Sequence, residues 1–382
     1  MRAQSAWPTE AQELLIKAAL FPASEAQSYW NDFLDRYNIH ELDHGSYQLL
    51  PMVFLNLKDT IEDGIERRIA RNAHKLVWAK NHLLMRELKQ VLQRLEDQGI
   101  DVCLLKGSAF LTHYFPDYGM RTLGDIDILA RPVCLERLVS ALDEMGYDIG
   151  SQPIESVRFL SLFHGLAFRS SRDTAIDVHQ FISMSLAHEG FTGQLWKRAE
   201  HVRVFEGAVT AYVLSPEHQL LHTVVHGLQY APESSIRWII DAACLVRGQA
   251  GRIDWEELKR IGKAHHLNLP LHLAIPYLGE DLRLPIDPEI IGYFKALKIT
   301  RMDRQYYDRT SNSSVRRVPM RIARTFDRYR LFMLGKGSLW NPIKFLDFLV
   351  LYSASPSRLG LLAYFFQESS KALRTTFSFK KT

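Results

Sequence analysis

Apolar positions recur every three or four residues over roughly the first hundred positions, which is the spacing of helices that bury one face. Residues 9–56 predict several short helices, with Pro51 at the start or at an interruption of one of them. A long amphipathic helix is predicted from Thr60 to Asp97, and Gly99 is placed to end it. Its apolar stripe comprises Leu76, Leu83, Leu84, Leu88, Val91, Leu92 and Leu95.

After Gly99 the pattern changes to short apolar runs and to alternation with a period of two, which indicates β-strands. Residues 101–105 form a short apolar run, and residues 125–130 alternate acidic and apolar side chains. Turn-rich links inside residues 165–180 and 201–214 predict two β-hairpins. This part of the chain therefore predicts a β-sheet with helices between some of its strands.

Helical spacing returns at Ser215, which can cap a helix whose first residue is Pro216. The order of helices, strands and helices predicts an α+β fold, with a mixed β-sheet core flanked by N-terminal and C-terminal helical regions. We divide the chain into an N-terminal helical region (1–99), an α/β core (100–214), a helical domain (215–294) and a basic C-terminal helical region (295–382).

The net charge of +4 conceals an uneven distribution. Residues 295–382 hold 18 Lys and Arg against 5 Asp and Glu, a balance of +13 that leaves −9 on the rest of the chain. A basic segment favours anionic partners such as RNA or anionic lipid, and a solvated helix face is the ordinary alternative. Nucleic-acid binding through this segment therefore stays open. Its closely spaced arginines are Arg316, Arg317, Arg321, Arg324, Arg328 and Arg330.

Composition excludes several classes of protein. With 47% hydrophobic and 24% charged residues, the chain is not disordered throughout. Residues 348–366 are apolar, but Pro356 and three serines interrupt them, so we expect packed helices and no transmembrane segment, with interfacial membrane contact as the less favoured alternative. Three cysteines without CxxC spacing argue against a disulfide framework and a thiolate zinc site. Because the N-terminal residues also lack the apolar segment of a signal peptide, we predict a cytoplasmic protein.

Three carboxylates are the main candidates for chemistry. Asp125 and Asp127 lie two residues apart on a predicted strand and so share a face, and Asp177 lies in a similar apolar setting on a later strand. If those strands are neighbours, the carboxylates converge and repel one another unless cations neutralise them. Carboxylate oxygens are hard ligands, so Mg²⁺ or Mn²⁺ is the natural partner. An exposed turn, or for Asp177 an ion pair with Arg169 or Arg172, is the alternative.

A candidate phosphate-binding turn precedes the acidic strand. Gly107 and Ser108 lie between a predicted strand and a predicted helix, where backbone N–H groups and a hydroxyl face an anion. Lys106 and Arg121 add positive charge nearby, although a solvated surface role is the alternative for both. A phosphate-binding turn together with paired carboxylates suits phosphoryl or nucleotidyl transfer with metal ions.

Three histidines are weaker candidates. His222 and His226 are four residues apart, as in some zinc sites, but no third ligand lies at a motif spacing. They are interpreted either as core residues, one of them paired with Asp241, or as a wall of the nucleotide or acceptor site. His179 is two residues from Asp177 and faces the same side, so it is either a supporting or acceptor contact or an ordinary edge histidine.

These motifs together resemble a known family. Residues 104–130, LLKGSAFLTHYFPDYGMRTLGDIDILA, resemble the signature of the DNA polymerase β-type nucleotidyltransferase superfamily. With IDVH at 176–179, HQLLHTVVHGL at 218–228 and IRWIIDAACLV at 236–246, the chain is similar to the uncharacterised nucleotidyltransferase family within it. The resemblance covers about residues 10–280. Sixteen residues separate Ser108 from Asp125, more than in the usual superfamily pattern but as in this family.

The resemblance implies a nucleotidyltransferase-type core and a reaction. The family would transfer a nucleoside monophosphate from an NTP to a hydroxyl-bearing acceptor and release pyrophosphate. Asp125 and Asp127 would hold metal ions, and Asp177 would bind the catalytic metal or take the acceptor's proton. Lys106, Gly107 and Ser108 would hold the triphosphate. A toxin-like enzyme that modifies tRNA or protein and an inactive scaffold are the alternatives, and the acceptor (small molecule, protein or RNA) stays open.

Overall fold

The computed structural model describes residues 7–148, 165–171, 174–187, 189–229, 236–310, 325–326, 328–330, 332–333 and 341–352. Three predictions fall wholly or partly outside these residues. They are the ion pair between Asp177 and Arg172, the arginine-rich stretch up to Arg324, and the apolar segment beyond residue 352.

The N-terminal part is helical, as predicted. Its first helix begins with a reciprocal cap, in which the Gln12 N–H donates to the Thr9 hydroxyl and the Thr9 N–H donates to the Gln12 side chain. Pro51 lies in the first turn of the fourth helix, and Gly99, with φ of +61°, follows the end of the fifth. The α-helices here are α1 (Glu10–Leu20), α2 (Ala23–Arg36), α3 (His44–Tyr47), α4 (Leu50–Leu57) and α5 (Ile65–Asp97).

The predicted apolar stripe of α5 is wrong at two positions. Leu76 and Leu83 are 63% and 67% exposed, whereas Val77 and Leu84 are buried. Successive residues of a helix point about 100° apart, so a helix that buries Val77 and Leu84 turns the residues before them outward. The rest of the predicted stripe, Leu84, Leu88, Val91, Leu92 and Leu95, is buried.

One mixed sheet of seven strands forms the centre of the described chain, in the order β3-β4-β5-β2-β1-β7-β6. The two predicted hairpins are β4/β5 and β6/β7, and both are antiparallel. Strand β2 is buried along its whole length, because it lies between β1, which runs antiparallel to it, and β5, which runs parallel. The strands are β1 (Val102–Leu104), β2 (Ile126–Ala130), β3 (Tyr147–Asp148), β4 (Gly165–Ser170), β5 (Ala175–His179), β6 (Glu200–Val204) and β7 (Val209–Val213).

Helices lie between the strands and after them. Within the core these are α6 (Lys106–Ala109), α7 (Leu135–Glu144) and α8 (Glu189–Arg198). After the sheet come α9 (Pro216–Gln229), α10 (Arg237–Gln249), α11 (Trp255–Ala264), α12 (Asn268–Pro276), α13 (Pro288–Lys295), α14 (Arg301–Thr310) and α15 (Pro342–Tyr352). A π-helical turn, Phe110–Tyr114, continues α6. The α+β prediction is therefore confirmed.

A continuous hydrophobic core joins the helical parts to the sheet. It extends from Trp7 through the sheet to Tyr307 and includes Leu15 of α1, Ile128 of β2 and Leu271 of α12. The four-part division of the chain stays a prediction, since residues from its first three parts and the start of the fourth contribute to this core. In the described part of the chain, no helix is long and apolar enough to cross a membrane.

Candidate active site

Strand pairing brings the predicted carboxylates together. Strands β2 and β5 run parallel with Asp127 directly opposite Asp177, and Asp125 immediately precedes β2. The side chains of Ile126 and Ile128 are fully buried in the core. Because side chains alternate along a strand, Asp125 and Asp127 face the other way. The structure therefore places all three carboxylates at the same end of two neighbouring strands.

His179 connects two of these carboxylates. Its Nε2 lies 2.9 Å from Oδ1 of Asp127 and 3.2 Å from Oδ2 of Asp177. Burial and the charge of Lys106 lower the pKa of His179, but the hydrogen bonds to both carboxylates outweigh them and raise it. A Cβ atom on Gly165, which pairs with His179 from β4, would lie 2.9 Å from Nδ1 of the imidazole. Glycine at this position therefore leaves room for the ring.

The ammonium group of Lys106 forms an ion pair with the carboxylate of Asp127. Its Nζ is 2.6 Å from Oδ1 of Asp127, and the lysine, which is the first residue of α6, adopts a left-handed backbone with φ of +45°. Burial raises the pKa of Asp127, but Lys106 and His179 outweigh burial and hold that pKa below its usual range. The sequence predicted a phosphate contact for Lys106, and the structure shows an ion pair with a predicted metal ligand.

Ser108 and Gly107 have packing roles in this structure. The Ser108 hydroxyl is buried and accepts a hydrogen bond of 3.0 Å from the backbone N–H of Asp127, which ties α6 to β2. A Cβ atom on Gly107 would overlap the Arg121 guanidinium and the Leu123 side chain. The Gly-Ser turn therefore lets Arg121 lie close to the start of α6. Binding of phosphate by this turn stays a prediction.

Arg121 forms an ion pair that the sequence did not indicate. Its Nε donates to both carboxylate oxygens of Asp241 on α10, at 2.8 and 3.0 Å, and both side chains are largely buried. Arg237, one turn earlier on α10, donates to the carbonyl of Thr122 at 3.0 Å. Burial and the neighbouring Arg121 lower the pKa of Arg237 to about 10. Two guanidinium groups thus share the neighbourhood of one carboxylate.

A cavity of about 220 Å³ adjoins these groups. Helices α9 and α10 form one wall, with His222 and His226 on α9. Burial holds the pKa of His226 well below its ordinary value, so its ring is neutral near pH 7. Basic and acidic side chains both line the cavity: Lys106, Arg121 and Arg237, and Asp125 and Asp127. The two histidines therefore lie in the wall of the cavity, and their role as a wall of a nucleotide or acceptor site stays a prediction.

The residues at this site fit a divalent cation. One ligand atom each from Asp127, Asp177 and His179 lies within 4.8 Å of the others. Burial raises the pKa of Asp125, and the charge of the neighbouring Asp127 raises it further. The carboxylate oxygens of this group suit Mg²⁺ or Mn²⁺, whereas an imidazole nitrogen is a ligand that softer divalent metals prefer.

The mixed sheet, the surrounding helices and the converging carboxylates define an α+β protein with a nucleotidyltransferase-type fold. The chain belongs to the family described as uncharacterised nucleotidyltransferase, whose model matches residues 29–280. This match confirms the resemblance noted in the sequence. The searches of curated proteins and of solved structures gave no match.

Besides the ion pairs of Lys106 and Arg121, two features of the site were not found from the sequence. The first is Arg237, for which the only signal was its position four residues before Asp241. The second is the contact of His179 with Asp127, a residue on another strand. The alternation along β5 placed His179 beside Asp177, but only the pairing of β5 with β2 brings it to Asp127.

Proposed function

We propose that this protein transfers a nucleoside monophosphate from an NTP to a hydroxyl-bearing acceptor and releases pyrophosphate. The observation that carries the proposal is the register of β2 and β5, which sets Asp127 opposite Asp177 beside a cavity lined by basic side chains. Membership of the family supports a transferase, and the donor set at the strand ends supports a metal-dependent one.

The residues divide into a metal-holding set and a phosphate-facing set. Asp125, Asp127 and Asp177 would hold Mg²⁺ or Mn²⁺, which when bound would offset charge on the transferring phosphate. Arg121 and Arg237 line the cavity and would face the remaining phosphate oxygens. At about 220 Å³ the cavity is smaller than a site that encloses a drug-sized ligand, so we infer that it accepts the phosphates and leaves the nucleoside nearer its mouth.

Asp177 would either complete the metal site or take the acceptor's proton, and its exposure favours the second role. Its side chain is 27% exposed and contacts His179, whereas that of Asp127 is 3% exposed and contacts both Lys106 and His179. The acceptor oxygen would attack the α-phosphorus, the bond from that phosphorus to the bridging oxygen of the β-phosphate would break, and pyrophosphate would leave with that electron pair. The proton released by the acceptor hydroxyl would pass to the Asp177 carboxylate.

The proposal also covers the acceptor of the nucleoside monophosphate and the cellular location of the protein. The acceptor is a small molecule, a protein or an RNA, and RNA would use the basic segment from Lys295 onward. The structure shows Cys103, Cys134 and Cys244 as free thiols, which agrees with a cytoplasmic location. Both statements stay predictions.

The test is incubation of the full chain with α-labelled NTPs, Mg²⁺ or Mn²⁺ and a cell extract, followed by mass identification of the labelled product. We expect labelled product and pyrophosphate from the wild type, and a loss of more than about 100-fold in Asp125→Asn, Asp127→Asn and Asp177→Asn. Asp101→Asn is the matched control, because Asp101 is half-exposed and pairs with Arg131 away from the cavity.

Two results would reject the proposal. One is a wild-type protein that binds neither NTP nor metal and yields no labelled product, which would leave the scaffold alternative. The other is full transfer activity in all three carboxylate variants, which would place the reaction elsewhere.

A further inference from the structure

One oxygen atom of Asp127 holds two cationic or proton-donating groups. Oδ1 lies 2.6 Å from Nζ of Lys106 and 2.9 Å from Nε2 of His179. The carboxylate is almost entirely buried, so water does not weaken these contacts. One of the two oxygens that Asp127 could offer to a metal ion is thus occupied by the chain's own side chains.

Lys106 forms an ion pair with this oxygen and so brings a positive charge to it. Mg²⁺ binds a carboxylate oxygen at about 2.0–2.1 Å, so an ion on the same oxygen would lie within about 5 Å of the ammonium group. The two cations would repel each other strongly at that separation inside a protein.

The backbone at Lys106 also differs from that of an ordinary strand-to-helix turn. A φ of +45° is unusual for a residue with a side chain and strains the backbone. Flanking backbone hydrogen bonds hold it there, from the Leu105 N–H to the Asp127 carbonyl at 3.0 Å and from the Ala109 N–H to the Leu105 carbonyl at 3.2 Å. The strained conformation therefore belongs to the same contact between β1, α6 and β2.

Lys106 also lines the cavity in which we place the phosphates. Its side chain is 19% exposed and borders the same space as Arg121 and Arg237. A lysine ammonium is a point charge on a flexible four-carbon stem, so it can move from one anion to another nearby without a change of fold. A polyphosphate in the cavity would offer that second anion.

We propose that Lys106 is a built-in counter-ion of Asp127, which keeps divalent cations weakly bound until a polyphosphate draws its ammonium group into the cavity. The inference rests on the proposed function and adds a regulation of the same site: metal and nucleotide bind cooperatively, and each raises the affinity of the other by the same factor.

The test measures Mn²⁺ binding to the metal-free full chain by electron paramagnetic resonance, with no nucleotide present. We expect Lys106→Gln to bind Mn²⁺ at least about tenfold more tightly than the wild type, since removal of the ammonium group frees Asp127. The glutamine amide can still donate to Asp127, which protects the fold. Lys106→Arg keeps the charge and is the matched control, expected to bind Mn²⁺ as weakly as the wild type. Equal or weaker Mn²⁺ binding by Lys106→Gln would overturn the proposal.

A second measurement needs no variant. Inorganic tripolyphosphate, with its free Mn²⁺ complex accounted for, should raise the Mn²⁺ affinity of the wild type about tenfold or more. The absence of this coupling in the wild type also overturns the proposal, even where Lys106→Gln does not fold.

The outcomes separate this inference from the proposed transfer. Tighter Mn²⁺ binding by Lys106→Gln, in a protein that never forms labelled product, supports the counter-ion and rejects transfer. Labelled product from the wild type, with no gain of Mn²⁺ affinity in Lys106→Gln, supports the transfer reaction and rejects the counter-ion role of Lys106.

Discussion

The ion pair of Arg121 and Asp241 gives the sharpest stability prediction. The change is Asp241→Asn, which removes the charge and keeps the shape. Both oxygens of Asp241 accept from Nε of Arg121, and the two side chains are only 6% and 10% exposed. The negative charge of Asp241 also raises the pKa of Arg237, whereas the positive charge of Arg121 lowers it. The variant therefore leaves two buried guanidinium groups without their carboxylate.

Loss of one partner of a buried ion pair costs about 3–5 kcal/mol, so we expect Asp241→Asn to lower the free energy of unfolding by that amount. Arg121→Met should cost less, because Arg237 remains beside Asp241 and keeps part of its charge compensated. The order of the two variants is thus part of the prediction: Asp241→Asn is the more damaging by about 1 kcal/mol or more.

The assay is equilibrium unfolding of the full chain in urea, where a shift of the midpoint at unchanged slope reports stability. Glu144→Gln is the matched control, since Glu144 pairs with Arg94 on the surface at 55% and 46% exposure and should cost at most about 1 kcal/mol. A cost below about 1 kcal/mol for Asp241→Asn, or a larger cost for Arg121→Met, would refute the reasoning.

Two further variants test the wall of the cavity. Gly227→Ala should destabilise the protein by about 1–3 kcal/mol in the same urea assay, because its Cβ would overlap Cβ and Cγ of Trp238 and force α9 away from α10. Its control, Gly248→Ala, has open space for the methyl group and should be neutral or stabilising by up to about 1 kcal/mol; the same loss in both would contradict the packing argument. Burial lowers the folded pKa of His226, so the unfolded chain binds more protons as the pH falls below about 6.5, and stability falls by up to about 1.4 kcal/mol per pH unit. His226→Gln should flatten this slope in unfolding curves at about pH 7.5 and 5.5, and an unchanged slope would contradict it.

Local patterns predicted most of the secondary structure and most of the site. The hairpin strands and the end of α5 before Gly99 depend on neighbours within a few residues, so their signals lie in short windows of sequence. The motifs also placed Asp125, Asp127 and Asp177 on strands with a shared face. The short edge strand β3 had no such signal, because two residues, Tyr147 and Asp148, are too few to show alternation.

By itself the sequence determined the α+β order of elements, the carboxylates on their strands and the family, since all of these depend on the order and spacing of residues along the chain. Only the tertiary structure decided which side chains meet. Lys106 reaches Asp127 across 21 residues, His179 reaches it across 52, and Arg121 meets Asp241 across 120. Such contacts follow from strand order and from helix packing on a shared core, which no local spacing specifies. The charge balance of the site is therefore a property of the fold.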